Sequence, residues 1–286
     1  MSKTSGTESA DGRKQAVAVE YIHGYSAAEA ERLITQAEFL APWVFDGIAL
    51  DGVGTLLELG VGVGAETRLI RQRWPRLRVI GVDISDGQLA HARRVLADDV
   101  AAGAVELVRA PATATPLTNG AADAAFVCWL LEHVSDPESV LRECARVVKP
   151  GGTVYVTEVY DASLTLEPRH APIERYWAAF LALQQAAGGH PNIGARLPSL
   201  AAAAGLEVVS HRFLPVLGDA RDADDRRGKL RYFRALLQSA EPQLRAADAF
   251  DAAELPAVWA AFDAIEADAD AIVCYTMAKL EARVRR

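Results

Sequence analysis

The residues best placed to do chemistry stand in one short run, Glu58-Leu59-Gly60-Val61-Gly62-Val63-Gly64-Ala65. Glycines between a strand-like and a helix-like segment let the backbone turn sharply and admit a ligand with no Cβ in the way. The spacing Gly60-x-Gly62-x-x-Ala65 satisfies the dinucleotide fingerprint. Asp83 stands at the end of the next strand-like run, where a carboxylate can hold a ribose diol. By themselves the glycines leave a dinucleotide and other nucleoside-bearing ligands open. Glu58 separates them. A carboxylate just before the loop is a poor neighbour for a pyrophosphate, which brings its own negative charge. It is a good neighbour for a nucleoside ligand that carries ammonium and sulfonium groups.

These residues need a scaffold, and the pattern around them supplies one. Apolar runs at 53–59, 77–82, 105–108, 124–128 and 153–157 predict strands, and 66–74, 86–97 and 137–148 predict helices between them. Asp136-Pro137 opens the last of these helices with a carboxylate N-cap and a proline at the first helical position. Lys149-Pro150-Gly151-Gly152 closes it in a tight turn. Strands alternating with helices predict an α/β fold built of βαβ units on a parallel sheet. Ahead of the core, Ser26-Ala27-Ala28-Glu29 reads as a capping box, and Leu33, Ala37, Leu40 and Val44 recur on one helical face. Beyond 160 the rhythm breaks into loop and helix (173–187 and 197–204), a strand at 206–213, helices over 226–266 and a last strand at 271–280. The expected organisation is a disordered tail (1–16), a helical cap (17–48), the core (49–160), a helical lid (161–204), and a completed sheet with a helical insertion (205–286).

The glycine run resembles motif I of the class I S-adenosylmethionine-dependent methyltransferases, with Glu58, Gly60, Gly62 and Gly64 in register. The likeness extends over roughly residues 50–160. Val79-Ile80-Gly81-Val82-Asp83-Ile84-Ser85 resembles the second-strand motif, Leu131-Glu132-His133-Val134 the segment after strand four, and Arg146-Val147-Val148-Lys149-Pro150-Gly151-Gly152 the approach to strand five. The resemblance implies a Rossmann-like, doubly wound sheet of seven mostly parallel strands with an antiparallel last strand and an added helical cap. It also implies S-adenosyl-L-methionine as cofactor, leaving as S-adenosyl-L-homocysteine, with Asp83 on the ribose and Glu58 at the methionine ammonium. Ser85 and Gln88 are candidates for ribose or adenine contacts, and Cys128 and Trp129 pass near the methionine and methyl group. One position departs from the family. Pro111 stands where many relatives carry an acidic residue for the adenine amino group, so adenine recognition falls to backbone such as the Ala112 N–H.

Candidate acceptor residues are more scattered. Tyr21, His23 and Tyr25 form an aromatic opening that similar family members fold over cofactor and acceptor, which would bring Arg32 and Gln36 to the methionine carboxylate. His133 follows strand four, where general bases occur, and Glu158 and Tyr160 end strand five. The aromatic helix around Arg175-Tyr176-Trp177 and Phe180 suits a planar or bulky small acceptor. Methyl transfer asks for an in-line nucleophile and excluded water, and for a base only if the acceptor must lose a proton. The expected reaction is methyl transfer to O, N or an electron-rich carbon, of natural-product type. A peptide or carrier-bound acceptor and an NAD-binding enzyme are the alternatives.

Composition narrows the partners. The net charge of -8 and pI near 5.3 give no basic face for phosphate, which argues against a nucleic-acid partner. The three cysteines, Cys128, Cys144 and Cys274, have neither disulfide nor zinc spacing, and no carboxylate cluster of ligand spacing was expected after strands four and five, so no metal is expected. With no apolar signal segment or membrane-length run, a cytoplasmic monomer or homodimer is the expectation.

Overall fold

The computed structural model describes His23 and residues 26–286; the tail at 1–16, Tyr21 and Tyr25 lie outside the described residues. Seven strands form one sheet in the order β3-β2-β1-β4-β5-β7-β6. These are β1 (Thr55–Leu59), β2 (Arg78–Asp83), β3 (Val105–Arg109), β4 (Ala122–Cys128), β5 (Val148–Glu167), β6 (Leu206–Gly218) and β7 (Ile272–Val284). The first five run parallel, while β7 lies antiparallel to both β5 and β6. This is the Rossmann-like α/β sheet with an antiparallel last strand. β1 and β4 are neighbours although β2 and β3 intervene in sequence, so the winding reverses between them. A crevice must open at their carboxyl ends, and ligands of such sheets bind there.

The central strands bury both faces, as parallel strands do: Leu56, Leu57, Leu59, Val79, Val82, Ala125 and Val127 have 0 % exposure. Helices α2 (Ala65–Arg73), α3 (Asp86–Val95), α4 (Ala97–Ala101) and α5 (Pro137–Val147) join the parallel strands. Asp136 caps α5 as its sequence announces, accepting from the Ser139 N–H at 3.0 Å.

The capping box is also present: Ser26 Oγ accepts from the Glu29 N–H at 3.1 Å at the start of α1 (Ala27–Val44). The far end of α1 is pinned to the sheet. Lys279 of β7 donates from Nζ to the carbonyls of Trp43 (3.0 Å), Val44 (2.6 Å) and Asp46 (2.5 Å), where the terminal carbonyls favour a cation. Burial pulls this ammonium down to about 8.

Two stretches differ from the sequence reading. β5 runs on to Glu167, because β7 supplies a partner across Thr165–Glu167 that local pattern does not reveal; the first part of the expected lid is therefore sheet. A register shift between Tyr160 and Thr165 bulges the strand there. The helix expected in that lid is α6 (Ala171–Ala186), and α7 (Leu197–Ala203) follows it. The long insertion between β6 and β7 is three helices, α8 (Ala223–Ser239), α9 (Glu241–Ala246) and α10 (Leu255–Ala267). Tyr176 fastens α6 to this insertion: its hydroxyl donates to the Leu237 carbonyl at 3.0 Å, and its ring meets Phe250 and Trp259 edge-on at 4.9 and 5.4 Å.

Candidate active site

At the switch point the chain leaves β1 into the glycine loop. Gly60 and Val61 donate to the Val82 carbonyl at 2.9 and 3.0 Å, which locks the loop to the tip of β2. Gly62 sits at φ +51°, and a Cβ added there would find nothing nearer than the Gly60 carbonyl at 3.9 Å, so it would project into open ligand space. Gly64, at φ +80°, is different: a Cβ there would strike Leu96 Cδ1 at 2.7 Å. Its smallness serves helix packing, not ligand approach. Asp83 braces the loop from the side, Oδ2 accepting from the Gly62 N–H at 3.0 Å and Oδ1 from the Ser85 N–H at 2.8 Å. Burial raises its pKa against the pull of those N–H donors.

These tips open on a cavity of about 250 Å³. It runs from Asp83, Ile84 and Gln88 past Gly60 and Gly62 to Trp129, and ends among side chains of α1, α6, α8, β5 and β7. Of the residues expected at the cofactor, Arg32, Gln36, Gly60, Gly62, Asp83, Gln88, Cys128 and Trp129 line it. Trp129 holds φ +49°, an uncommon conformation for an aromatic residue, and its N–H is anchored on the Thr157 carbonyl at 3.0 Å.

Glu58, Gly64, Ser85 and Ala112 are not part of this lining. Glu58 is 2 % exposed and accepts from Thr67 Oγ1 at 2.5 Å, beneath the loop instead of in the cavity. Burial pushes its carboxyl up to about 8. Glu66, on the first turn of α2, is the carboxylate that faces the cavity, partly open to it but enclosed by protein and raised by that enclosure to about 7. Ser85 is occupied as the N-cap of α3, its Oγ accepting from the Gln88 N–H at 3.3 Å. On that side the wall is made by Ile84, 62 % exposed, and Gln88.

The other end is assembled from distant segments. Glu29 grips Arg32 with both oxygens (2.7 and 2.6 Å), and Arg32 Nη1 donates to Gln36 Oε1 at 2.6 Å. His23 Nδ1 lies 2.6 Å from Ser239 Oγ, its ring 5.7 Å from Phe180, which stacks on Trp177 at 5.1 Å. Burial and the Arg32 charge hold the His23 pKa well below the usual histidine range. His133 also lines the cavity, lowered to about 4 by burial and Arg32, which makes it a weak base at neutral pH.

Glu158 does not face the acceptor space as expected. It is 0 % exposed, and its Oε1 accepts from the Leu130 and Leu131 N–H groups at 3.0 and 2.7 Å, supporting the turn after β4 from below. Two acids that the sequence reading missed line the cavity instead. Glu132 Oε2 accepts from Gln184 Nε2 of α6 at 2.7 Å. Asp161 lies in the β5 bulge, its N–H donating to the Pro191 carbonyl at 3.0 Å and its Oδ1 accepting from the Tyr275 hydroxyl at 2.8 Å. Burial raises all three carboxyls, at Glu132 against the pull of the Gln184 hydrogen bond and the Arg32 charge, and repulsion by Glu132 adds to the rise at Glu158 and Asp161. Carboxyl groups thus gather after strands four and five, while among the described residues no set of three side chains has the arrangement of a metal site. Their neighbours in sequence were the signal: Glu132 precedes His133, and Asp161 follows Tyr160 at a strand's carboxyl end. Tyr232 and Tyr275, also in the lining, carry no local signal.

Residues 57–156 match the methyltransferase domain family. Over this part the chain is similar to class I, S-adenosylmethionine-dependent methyltransferase domains. A ubiquinone/menaquinone biosynthesis C-methyltransferase of Syntrophotalea carbinolica is 34 % identical over 111 residues, 39 % of this chain and 46 % of the relative. A trans-aconitate 2-methyltransferase of Azoarcus sp. is 34 % identical over 140 residues, 47 % of this chain and 51 % of the relative. The chain thus spans about half the length of these relatives. Among solved structures, the [4+2]-cyclase SpnF superposes with a TM-score of 0.56 at 25 % identity, covering 88 % of this chain and 82 % of that one. Haemonchus contortus phosphoethanolamine N-methyltransferase 2, solved with S-adenosyl-L-methionine, shares the fold at a TM-score of 0.53 and 17 % identity over 94 % of this chain and 56 % of that one.

Proposed function

We propose that the chain is an S-adenosylmethionine-dependent methyltransferase acting on a small organic acceptor. One observation carries the reading: one cavity connects a cradle at the tips of β1 and β2 to a polar pocket walled by aromatics. The likeness to a cyclase shows that the scaffold alone does not set the reaction, so function must be read from the site.

The residues present fit the cofactor. Asp83 has both oxygens oriented by backbone N–H groups and lone pairs left for two ribose hydroxyls. Gly62 leaves room for the ligand's approach. Ile84 offers an apolar face beside the ribose position, suited to a purine ring. Glu66 stands at the homocysteine end of the cradle, where its carboxyl is placed to receive an ammonium. When bound, S-adenosylmethionine supplies a methyl carbon made electrophilic by the adjacent positive sulfur, open to in-line displacement. The chain's own share is to orient and to keep water out: Trp129 lines the cavity between the two ends, and α6 and α8 contribute walls at the acceptor side.

The enclosure supports a small acceptor, of the kind met in natural-product chemistry, better than a folded protein or nucleic acid. In this reading α1 with His23 is a cap, α6 with α7 a lid, and the α8–α10 insertion the second wall. A cytoplasmic protein, monomeric or dimeric, is in keeping with this; no helix among the described residues is long and apolar enough to cross a membrane. Equilibrium binding tests the proposal. S-adenosylhomocysteine is expected to bind one per chain and to raise the melting temperature, with NAD without effect; binding of NAD but not of S-adenosylhomocysteine would overturn it.

A further inference from the structure

The acceptor end of the cavity carries more acid than its walls balance. Glu132, from the turn after β4, and Asp161, from the β5 bulge, both face it. Glu158 lies just beneath, fully buried, and its Oε2 has no hydrogen-bond partner. Among the described residues neither Glu132 nor Asp161 pairs with a lysine or arginine; their partners are the Gln184 amide and the Tyr275 hydroxyl. The nearest basic ring, His133 Nε2 at 3.5 Å from Glu132 Oε1, is kept neutral by burial and by the Arg32 charge. Carboxyl groups crowded in this way hold their protons, and a cation entering among them would relieve both burial and repulsion. The surrounding walls suit a cation too. Trp177, Phe180, Tyr232 and Tyr275 present π systems, whose faces attract positive charge. A neutral alcohol offers no charge to draw these carboxyls into their ionised form, and a carboxylate acceptor would oppose it.

Building on the cofactor assignment above, we infer that the acceptor is a basic amine on an aromatic or apolar body, its ammonium group drawn between Glu132 and Asp161 and its body against Trp177 and Phe180. The reaction is then N-methylation. Entry of the ammonium releases one carboxyl proton to solvent. The bound ammonium then passes a proton of its own to that Glu132 or Asp161 carboxylate, which frees the nitrogen lone pair. That pair forms the N–C bond as the C–S bond breaks; the C–S electrons stay on sulfur, and the sulfonium becomes a neutral thioether. The methylated amine leaves as a cation, and the carboxyl keeps the proton it held at the start.

Three probes of similar shape test this on the full chain saturated with S-adenosylhomocysteine at neutral pH: 2-phenylethylamine, 2-phenylethanol and 3-phenylpropanoate. Calorimetry should show the amine binding at least about tenfold tighter than the alcohol, with the propanoate weakest. Glu132→Gln and Asp161→Asn should each cut the amine's affinity by about tenfold and leave the alcohol's within about twofold. Equal binding of amine and alcohol, preference for the propanoate, or an amine preference that survives both substitutions would overturn the inference while leaving the cofactor assignment standing. Absence of S-adenosylhomocysteine binding would instead overturn the cofactor assignment, and the inference with it. The wild-type comparison needs no variant to fold.

Discussion

The two ends of the cavity are built differently. At the β1–β2 tips the working groups lie within one βαβ unit: Gly60, Gly62, Glu66 and Asp83 span 24 residues of sequence. Backbone does much of the work there, through the loop locked on Val82 and the N–H groups that orient Asp83. At the acceptor end Arg32, Glu132, Asp161, Tyr232 and Tyr275 come from five separate elements, held by side-chain bonds across the sheet and its cover. The contrast separates a part of the site set by local chain geometry from a part set by tertiary packing. The first can serve any enzyme using the same cofactor, while the second can change one segment at a time and so set the acceptor.

The comparison can be broken by substitutions at each end. The largest effect should come from Asp83→Ala, which removes a carboxylate that both orients the loop and meets the ribose. Loss of a hydrogen bond to a charged group costs about 1.5–3 kcal/mol, so S-adenosylhomocysteine affinity should fall by at least about tenfold in calorimetry. Unchanged affinity would remove Asp83 from the site. Next, Gly62→Ala and Gly64→Ala should part company. Both force positive φ on a residue with a Cβ. Gly62→Ala should lose about tenfold in cofactor affinity with only about 1 kcal/mol of stability. Gly64→Ala, pressed on Leu96, should lose about 2 kcal/mol or more, or about 4–8 °C in melting temperature, and bind the cofactor once folded. The reverse pattern would mean that the loop's open face points elsewhere.

At the acceptor end Gln184→Leu unties Glu132 from α6. Acceptor kcat/KM should fall several-fold, while cofactor affinity stays within about twofold. A parallel loss of cofactor affinity would show the two ends to be one unit. The subtlest expectation concerns pH. Glu58, at about 8, is raised above its ordinary value of 4.5, so the folded state keeps a proton that the unfolded chain has already released. The stability this confers is full below about pH 4.5 and is lost as pH rises through about 8. Thermal melts of the ligand-free protein should therefore decline over that window, and Glu58→Gln should flatten the decline. A wild-type melting temperature that climbs from pH 5 to 8 would contradict the assignment.

What the sequence disclosed follows the same division. The βαβ rhythm and the caps at Ser26 and Asp136 were legible, because each depends on short-range pattern or on glycine and proline chemistry, whereas the sheet's winding followed only from the family resemblance. Gly62 and Asp83 were placed at the crevice for the same reason. Glu58 was read in the right loop but on the wrong side of it: strand alternation aims its side chain at Thr67, and the next turn's Glu66 reaches the cavity. Glu158 was expected at the acceptor and Asp161 was not, yet strand alternation puts Asp161 on the cavity side with Val159, while Glu158, one residue before Val159, accepts from backbone N–H groups below. Tyr232 and Tyr275 gave no signal, being ordinary members of an amphipathic helix and an edge-ward strand until the fold brings them together.

A crystal structure with S-adenosylhomocysteine bound tests the two-ended cavity most directly. We expect the ribose diol on Asp83, the homocysteine ammonium towards Glu66, and the sulfur pointing past Trp129 at Glu132 and Asp161. A ligand lying with its sulfur turned away from those acids, or a diphosphate seated on the glycine loop, would contradict that arrangement.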